Sequence, residues 1–469
     1  MKQRYERPLI KKLSAGPLNK FGARTEAQPV PDIDGAPVKD LLRAFGSPLF
    51  VLSEKQLRRN YQQAVRAFRT RYPRVQLAWS YKTNYLNAVC RVFHQEGAWA
   101  EVVSGFEYEK ALLNGVPGPQ IIFNGPGKSR AELQRACALD SVIHLDHFDE
   151  LYELLDLAAG LPRRPRVAVR VNLDAGVYPQ WDRFGFNLEN GQAWNAIGRI
   201  VGSGRLELVG LHCHLGTYLL TTKPYGVAAQ KLADLAWSCR TQLNTPIQYL
   251  DLGGGFPSTN TLKGAYLPGT DTAPGIDEFA EVIADTLQRA GFRPDELPLL
   301  ILEAGRLLVD DAGYLLGTVL ATKRLADGRR ATILDFGVNV LFTSFWYDHK
   351  ISPAGDFSQH TEDTVLYGPL CMNIDVLRDS VNLPLLNRGD QVVVHKVGAY
   401  NMTQWMQFIT LRPAVVLLDE QGRPHRIRQA ETLDYLQQLE EVPAHLGPHP
   451  PASSPQARGS QPSATATPG

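Results

Sequence analysis

Lys82 is the residue of this sequence whose type and position most directly suggest covalent chemistry. It follows the apolar run at residues 75–79 and lies in the stretch Ser80-Tyr81-Lys82-Thr83-Asn84. A lysine amine at the end of a strand can form a Schiff base with a carbonyl compound. The alternative is an ordinary solvated lysine without a chemical role.

A triple glycine and a pair of histidines are further candidates. Gly253, Gly254 and Gly255 can form a turn whose backbone N–H groups approach a phosphate closely, although a tight loop without a ligand is the alternative. His212 and His214 are two residues apart and therefore face the same side of a strand. No third ligand at a suitable spacing accompanies this pair, so we predict no metal site.

These residues require a scaffold, and the pattern of the chain predicts one. The 469 residues, of which 44% are hydrophobic, can form a sizeable core and more than one domain. Short apolar runs alternate with amphipathic stretches, a pattern typical of parallel strands joined by helices. Strands are predicted at residues 75–81, 99–103, 120–123, 142–145, 166–171, 208–212, 248–252 and 299–302. Helices are predicted between them, including residues 54–71, 148–159, 225–243 and 277–290. Eight such units indicate a (β/α)₈ TIM-type barrel, with a doubly wound sheet as the alternative.

After residue 306 the alternation of strand-like and helix-like segments ends. Strand-like segments at residues 314–323, 331–336, 391–397 and 414–418 have no helices between them, which predicts a mainly antiparallel β domain at residues 307–442 after a barrel at residues 46–306. Residues 1–45 lack the barrel pattern and are predicted to pack on the β domain. Residues 443–469 are rich in Pro, Ser, Ala and Gly, a composition that predicts a disordered tail.

Composition excludes several classes of protein. A formal net charge of +1 gives no electrostatic attraction to nucleic acid or to an anionic membrane. No stretch of about 18 uncharged apolar residues is present, so a membrane-spanning helix is not expected. The five cysteines are scattered and form no CxxC pair, which predicts reduced thiols and a cytoplasmic protein without disulfides.

Polar signatures follow the predicted strands, where a barrel gathers its catalytic groups at one mouth. They are Lys82-Thr83-Asn84, Ser104-Gly105, Asn124-Gly125, Asp146-His147, Asn172, His214-Leu215-Gly216-Thr217, Gly253-Gly254-Gly255 and Glu303-Ala304-Gly305-Arg306.

From about residue 47 to residue 442 the chain resembles the fold-type III decarboxylases that depend on pyridoxal phosphate, the group of diaminopimelate, ornithine and arginine decarboxylases. The motifs that carry the resemblance occur in the order of that group. They are Ser80-Tyr81-Lys82-Thr83-Asn84, Gly125-Pro126-Gly127-Lys128, Arg183-Phe184-Gly185, His212-Cys213-His214-Leu215-Gly216-Thr217, the triple glycine, Glu303-Ala304-Gly305-Arg306, Gly368-Pro369-Leu370-Cys371 and Gly398-Ala399-Tyr400.

The resemblance implies a pyridoxal phosphate site. It makes Lys82 the Schiff-base lysine, places His214 against the pyridine ring and assigns Glu303 to the ring nitrogen. A carboxylate there keeps the nitrogen protonated and makes the ring a strong electron sink, which favours decarboxylation over racemisation. The phosphate ligands that it implies are Thr217, Gly253, Gly254, Gly255, Gly305, Arg306 and Tyr400.

Cys371 resembles the cysteine that one subunit of this family contributes to the active site of its partner, where it returns a proton to the α-carbon. The resemblance therefore implies a homodimer with shared active sites. The alternative is that Cys371 is only a small buried apolar residue, and the preceding Gly368-Pro369 argues against that alternative.

The residues that select the substrate depart from those of diaminopimelate decarboxylases. Thr343-Ser344 occupies the place of their Arg-Pro pair, and Met372 that of the glutamate after the cysteine. Tyr347-Asp348-His349 resembles the ornithine decarboxylase pattern, in which the aspartate holds a distal ammonium group. Tyr347 and Asp348 are therefore the predicted substrate contacts, and a basic or diamino acid is the predicted substrate. A solvated loop aspartate is the alternative.

Three other functions are open at this stage. Residues 401–409 carry large side chains and resemble relatives that decarboxylate conjugated amino acids in siderophore or antibiotic pathways. An amino-acid racemase is a second alternative, against which Glu303 argues. A regulatory homologue without catalysis is the third, and the presence of Lys82 and Cys371 argues against it.

Overall fold

The computed structural model describes residues 28–357 and 360–447. The first 27 residues of the predicted N-terminal segment and the predicted tail from residue 448 onward lie outside the described residues. Described residues of the segment form a short hairpin and a helix, followed by a strand: β1 (Asp32–Ile33), β2 (Ala36–Pro37), α1 (Val38–Phe45) and β3 (Leu49–Ser53).

Eight parallel strands close into a barrel. They are β4 (Val75–Ser80), β5 (Trp99–Val102), β6 (Ile121–Phe123), β7 (Val142–Leu145), β8 (Arg166–Asn172), β10 (Glu207–His212), β11 (Tyr249–Asp251) and β12 (Leu299–Ala304), with the short β9 (Phe186–Asn187) beside β8. Pairing of β8 with β10 and of β12 with β4 closes the ring. All eight strands were predicted, and the predicted barrel is confirmed.

Helices precede, connect and follow the barrel strands. They are α2 (Glu54–Arg69), α3 (Asn87–Gln95), α4 (Gly105–Leu113), α5 (Arg130–Ala138), α6 (Phe148–Ala158), α7 (Gln192–Ser203), α8 (Lys223–Leu243), α9 (Gly269–Thr272), α10 (Ile276–Arg289) and α11 (Arg306–Val309). Local sequence sets where several begin, because side chains accept the free N–H groups of the first turn: Ser53 caps α2, and Ser129 and Glu132 form a capping box on α5. In the described part of the chain, no helix is long and apolar enough to cross a membrane.

A second sheet follows the barrel in sequence. Its strands are β13 (Gly313–Arg324), β14 (Arg330–Leu334), β15 (Ile351–Pro353), β16 (Thr361–Tyr367), β17 (Val376–Pro384), β18 (Gln391–His395), β19 (Ala414–Leu418) and β20 (Pro424–Arg428), with the short α12 (Asn401–Gln404) between β18 and β19. Most pairs are antiparallel, as predicted. β3 also belongs to this sheet, between β13 and β19. Helix α1 packs on it through Val38, Leu41 and Leu42.

The last described residues form a small unit that begins at Glu431. It contains α13 (Leu433–Gln437), which begins after Thr432, and a single 3₁₀ turn at Ala444–Leu446. The side chain of Thr432 accepts a hydrogen bond from the backbone N–H of Tyr435 and caps the helix.

The barrel interior consists of an apolar layer and a polar layer. The apolar layer contains Ala78, Ile122, Val142, Ala168, Val209, Tyr249 and Ile301. Because side chains on one face of a strand recur every second residue, the next inward positions lie two residues closer to the carboxyl ends. On six of these seven strands they are polar: Ser80, Asn124, His144, Arg170, Asp251 and Glu303. On β10 a register shift between Leu208 and Gly210 makes His212 the residue that pairs with Arg170. The apolar layer thus lies beneath the polar layer, which is called the polar floor below.

Candidate active site

A cavity of about 820 Å³ opens at the carboxyl ends of the barrel strands. Most residues predicted from the sequence line it together, although they come from distant parts of the chain. They are Lys82, His214, Thr217, Gly254, Gly255, Glu303, Gly305, Arg306, Tyr347 and Tyr400. Gly253, Asp348 and Cys371 are not among the lining residues.

Lys82 lies in a 3₁₀ turn, Tyr81–Thr83, directly after β4. Its ammonium group donates to both carboxylate oxygens of Glu101, at 3.0 and 2.9 Å. Burial by itself lowers the pKa of Lys82, but attraction to Glu101 and Glu303 outweighs burial and raises the pKa above its ordinary value. The side chain remains 36% exposed because it faces the cavity. The amine therefore has access to a ligand in the cavity.

Glu303 lies at the end of β12 and is 3% exposed. Its carboxylate accepts a hydrogen bond from Asn124 Nδ2, and His212 Nε2 is 3.3 Å from the same oxygen. Asn124 also donates to Glu101, at 3.2 Å. The polar floor thus links Lys82, Glu101, Asn124 and Glu303 and fixes both carboxylates beneath the cavity.

His214 presents a neutral ring to the cavity. Burial lowers its pKa to about 3, so the imidazole is uncharged at neutral pH. The backbone N–H of Gly254 donates to its Nδ1, at 3.1 Å, and fixes the orientation of the ring. Trp181 lies beside it with a ring separation of 5.3 Å. This arrangement suits contact with the face of a flat ligand.

The glycine turn fits a bulky anion. Gly253 and Gly255 have φ angles of +64° and +94°, in the left-handed region where other residues are strained. A Cβ atom at Gly254 would lie 2.3 Å from the carbonyl oxygen of Glu303, and one at Gly255 would lie 2.3 Å from that of Gly216. Only glycine therefore fits this turn, which places the backbone of Gly254 and Gly255 against the cavity.

Arg306 completes the cationic end of the cavity. The residue is 7% exposed, and its Nη1 has no hydrogen-bond partner in the structure. Its guanidinium lies over the rings of Tyr218, Tyr347 and Tyr400, at 5.4, 5.3 and 4.7 Å. A buried guanidinium with an unpaired N–H group favours a hydrogen-bond acceptor, and a phosphate matches its planar fork. The glycine turn and Arg306 therefore fit the phosphate of pyridoxal phosphate.

Tyr400 is held beside Lys82 by the backbone. It adopts the left-handed conformation, with φ at +62°, and its N–H donates to the carbonyl oxygen of Thr83, at 2.9 Å. The hydroxyl of Thr83 contacts that of Tyr400 at 3.5 Å. A tyrosine more than 300 residues away in sequence thus reaches the turn that carries Lys82.

Two predicted residues are not brought to the cavity. The Asp348 carboxylate lies 3.4 Å from Arg378 Nε, whereas its neighbour Tyr347 faces the cavity. Within this chain, Asp348 therefore has a cationic partner and does not line the cavity, and its contact with a substrate stays a prediction. Cys371 is exposed in the loop between β16 and β17. Its role in proton return stays a prediction.

Sequence reasoning missed three residues that line the cavity, Glu101, Arg170 and Trp181. Glu101 and Arg170 occupy inward positions at strand ends, so alternation along each strand was the signal that could have found them. Trp181 comes from the loop after β8, where no periodicity identifies inward side chains. Asn124 and Phe184 also line the cavity, and the sequence pointed to them only as members of motifs, without a task.

Along the sequence, no third metal ligand accompanies the histidine pair, but the fold brings other possible ligands to His212. In space, His144, Asp251 and Glu303 converge on His212 from three other strands, with ligand atoms of all four within 4.8 Å of one another. Spacing could not reveal this cluster, because its members lie on separate barrel strands.

Residues 56–310 match the family model described as "Pyridoxal-dependent decarboxylase, pyridoxal binding domain". The diaminopimelate decarboxylase of Methanothermobacter thermautotrophicus is 31% identical over 428 residues, which cover 88% of this chain and 96% of that protein. That of Bacillus subtilis is 29% identical and covers 87% of this chain and 94% of its own length.

A crystal structure of diaminopimelate decarboxylase from M. jannaschii in complex with L-lysine is similar in fold, with a TM-score of 0.81 and 29% identity. The match covers 88% of this chain and 96% of that one. A family match over more than half of the chain and a relative above 30% identity both point to one group of enzymes. The chain belongs to the pyridoxal-dependent decarboxylases, the carboxy-lyases that use pyridoxal phosphate.

Proposed function

We propose that this cavity decarboxylates an amino acid with pyridoxal phosphate attached at Lys82. The observation that carries the proposal is the convergence of Lys82, Glu303, the glycine turn and Arg306 on one cavity. When bound, the cofactor acts as an electron sink that accepts the electron pair left by the departing carboxylate. The rest of the chemistry depends on where protein side chains hold the cofactor, the substrate and the proton.

Each end of the cavity has its own task in this proposal. Gly255, Thr217, Gly305, Arg306 and Tyr400 bind the phosphate, and Gly253 and Gly254 shape the turn beside it. Glu303 faces the ring nitrogen and keeps a proton on it, because a buried carboxylate stabilises the cationic form. The neutral ring of His214 packs on the face of the pyridine. The Lys82 amine holds the cofactor and gives way to the amine of the substrate.

We further propose that the enzyme is a homodimer and that Cys371 acts in the cavity of the second copy, where its thiol returns a proton to the α-carbon. Cys371 is exposed and lies outside its own cavity. Apolar side chains on this and nearby loops are exposed as well, including Phe345, Trp346 and Ile374. Exposed apolar groups of this kind favour burial against another protein surface.

For the substrate, we propose an amino acid with a second amino group, because several relatives of about 30% identity are named for diaminopimelate. A conjugated amino acid is a second candidate, and a specific observation favours it. Among the described lining residues, the carboxylates are Glu101 and Glu303, both on the polar floor. Thr343 is turned away, toward His349 and Asn401. A distal ammonium thus finds no free carboxylate in the cavity of one chain.

We also propose cytoplasmic action, without nucleic acid or membrane as a partner, in accord with the net charge of +1. The division into a barrel at residues 46–306 and a β domain at residues 307–442 is likewise a proposal. The hydrogen bonds of β3 with β13 and β19 favour placing residues 49–53 with the β domain.

Carbon dioxide release from a panel of amino acids tests the function. The panel contains L- and D-forms of diaminopimelate, lysine, ornithine and arginine, together with amino acids acylated on the distal amine. We expect release from one class, dependent on pyridoxal phosphate and lost in Lys82→Ala. Formation of the mirror-image amino acid without carbon dioxide would instead identify a racemase. Release that is equal in Lys82→Ala would contradict the proposal.

A further inference from the structure

Four buried titratable residues lie beneath the cavity on four different strands. His144 lies on β7, His212 on β10, Asp251 on β11 and Glu303 on β12, and each is at most 3% exposed. One ligand atom from each lies within 4.8 Å of the others. Glu303 has a task in the proposed function, whereas Asp251 has none.

Hydrogen bonds leave one oxygen of Asp251 free. Oδ1 accepts from the backbone N–H of Gly253, at 2.8 Å, while the buried Oδ2 has no partner in the structure. An ionised carboxylate with an unsatisfied buried oxygen is costly, and a second carboxylate nearby increases the cost. A proton on Oδ2 removes the charge and supplies a donor.

Charge in this region supports a neutral Asp251. Burial, followed by the nearby Glu303, raises the pKa of Asp251 well above its ordinary value. Burial also lowers the pKa values of His144 and His212 well below theirs. A neutral Asp251 leaves at most one negative charge in the cluster, shared by two carboxyl groups and two neutral imidazoles.

A metal ion is the other possible occupant of two imidazoles and two carboxyl groups. The cations around the cluster argue against it. Lys128 and Arg170 act on both histidines, and Lys82 acts on His212. Asn124 also donates to the Glu303 carboxylate. These cations are each paired with a carboxylate outside the cluster, namely Glu101, Glu150 and Asp146. Their positive charges still face the histidines and disfavour a divalent ion beside them.

We propose that Asp251 is a positioning residue that carries a proton on Oδ2 and donates it in a hydrogen bond to Glu303. The two carboxyl groups thereby hold one negative charge, and Glu303 stays directed toward the ring nitrogen of the cofactor. The proposal rests on the proposed function for the role of Glu303. The same aspartate ties the glycine turn to the polar floor, because its other oxygen accepts from Gly253.

Asp251→Asn and Asp251→Ala separate this role from others. An asparagine oxygen can accept from Gly253, and its amide can donate to Glu303, so it mimics a protonated aspartate. An alanine can do neither. Asp375→Asn is the matched control, because both oxygens of the buried Asp375 accept backbone N–H groups, from Val338 at 2.9 Å and from Leu370 at 2.8 Å. An amide there replaces an acceptor with a donor and should lower the melting temperature.

The measurements are the nitrogen-15 chemical shift of labelled pyridoxal phosphate in the holoenzyme and the infrared band of a protonated carboxyl group. We expect Asp251→Ala to move the ring nitrogen toward its deprotonated shift and to slow carbon dioxide release by roughly tenfold to a hundredfold, the factor that corresponds to a hydrogen bond to a charged group. Asp251→Asn should restore the nitrogen shift and most of the rate. The difference spectrum of wild-type and Asp251→Asn protein, in which other protonated carboxyl groups cancel, should contain the band of Asp251.

Three results would overturn the inference. They are an Asp251→Asn protein that behaves like Asp251→Ala or does not fold, a difference spectrum without the infrared band, and a stoichiometric metal ion in wild-type protein that Asp251→Asn loses. The infrared band is read with or without cofactor. Failure of pyridoxal phosphate to bind wild-type protein would therefore contradict the proposed function, while the band would still decide the state of Asp251.

Discussion

The mouth of the barrel and the loops of the second sheet contribute to the site in different ways. At the mouth, Lys82, His214 and Glu303 meet because each follows a parallel strand of one closed ring. In the second sheet, Tyr347 and Tyr400 reach the cavity, whereas Asp348 and Cys371 do not. Barrel topology is thus sufficient to gather its own residues. Loop residues depend on local hydrogen bonds and, we propose, on a second copy of the chain.

Replacement of Lys82 should have the largest effect on the barrel side of this comparison. Lys82→Arg retains the positive charge opposite Glu101 but cannot form a carbon–nitrogen double bond with the cofactor. We expect carbon dioxide release to fall by roughly a thousandfold or more, with the fold retained. An assay of carbon dioxide release with added pyridoxal phosphate measures the activity, and circular dichroism measures whether the fold is retained. A Lys82→Arg protein that retains activity would contradict a catalytic role of Lys82 at the barrel mouth.

Replacement of Cys371 tests the contribution of the loops of the second sheet. We expect Cys371→Ala to slow product formation by about 10²–10⁴-fold, the usual contribution of a positioned proton donor. Two inactive variants, Lys82→Arg and Cys371→Ala, should restore activity when mixed under conditions of subunit exchange. Random pairing makes half of the dimers mixed, and each has one intact site, so activity should reach about a quarter of the wild-type value. Unrestored activity in exchanged dimers would contradict shared sites.

Replacement of Glu107 tests how strongly burial in the barrel affects a titratable side chain. Glu107 is 4% exposed, and burial raises its pKa to about 7. A raised pKa in the folded state means that its contribution to stability is complete below the unfolded value of about 4.3 and is lost as the pH rises through about 7. Wild-type protein should therefore lose a few kcal/mol relative to Glu107→Gln between about pH 4 and pH 8. Denaturant unfolding at several pH values measures it, and parallel curves would contradict a buried, protonated Glu107.

Asp348 should show the smallest effect. Its partner is Arg378, and both side chains are partly exposed, so Asp348→Asn should cost at most about 1 kcal/mol of stability. We expect KM to change by a similar small factor for substrates with and without a distal ammonium group. Kinetics with one substrate of each kind decide the point. A large rise in KM confined to the ammonium substrate would assign Asp348 to substrate binding.

The comparison also explains how far the sequence could predict the molecule. Apolar periodicity identified all eight barrel strands, because strands buried on both faces read as short apolar runs. It could not place β3 in the second sheet, since five buried residues before a helix look the same in either sheet. Motif order identified the residues at the strand ends. The facing of Asp348 toward Arg378 could not be predicted, because no periodicity governs a loop.

Covalent mapping of the cofactor tests the central claim most directly. Borohydride reduction of the holoenzyme links pyridoxal phosphate irreversibly to the lysine that holds it, and peptide mass spectrometry then identifies that lysine. The account predicts that the phosphopyridoxyl group is found on the peptide containing Lys82 and is lost in Lys82→Arg. Modification of a different lysine, such as Lys263 at the rim of the cavity, or no modification at all, would contradict it.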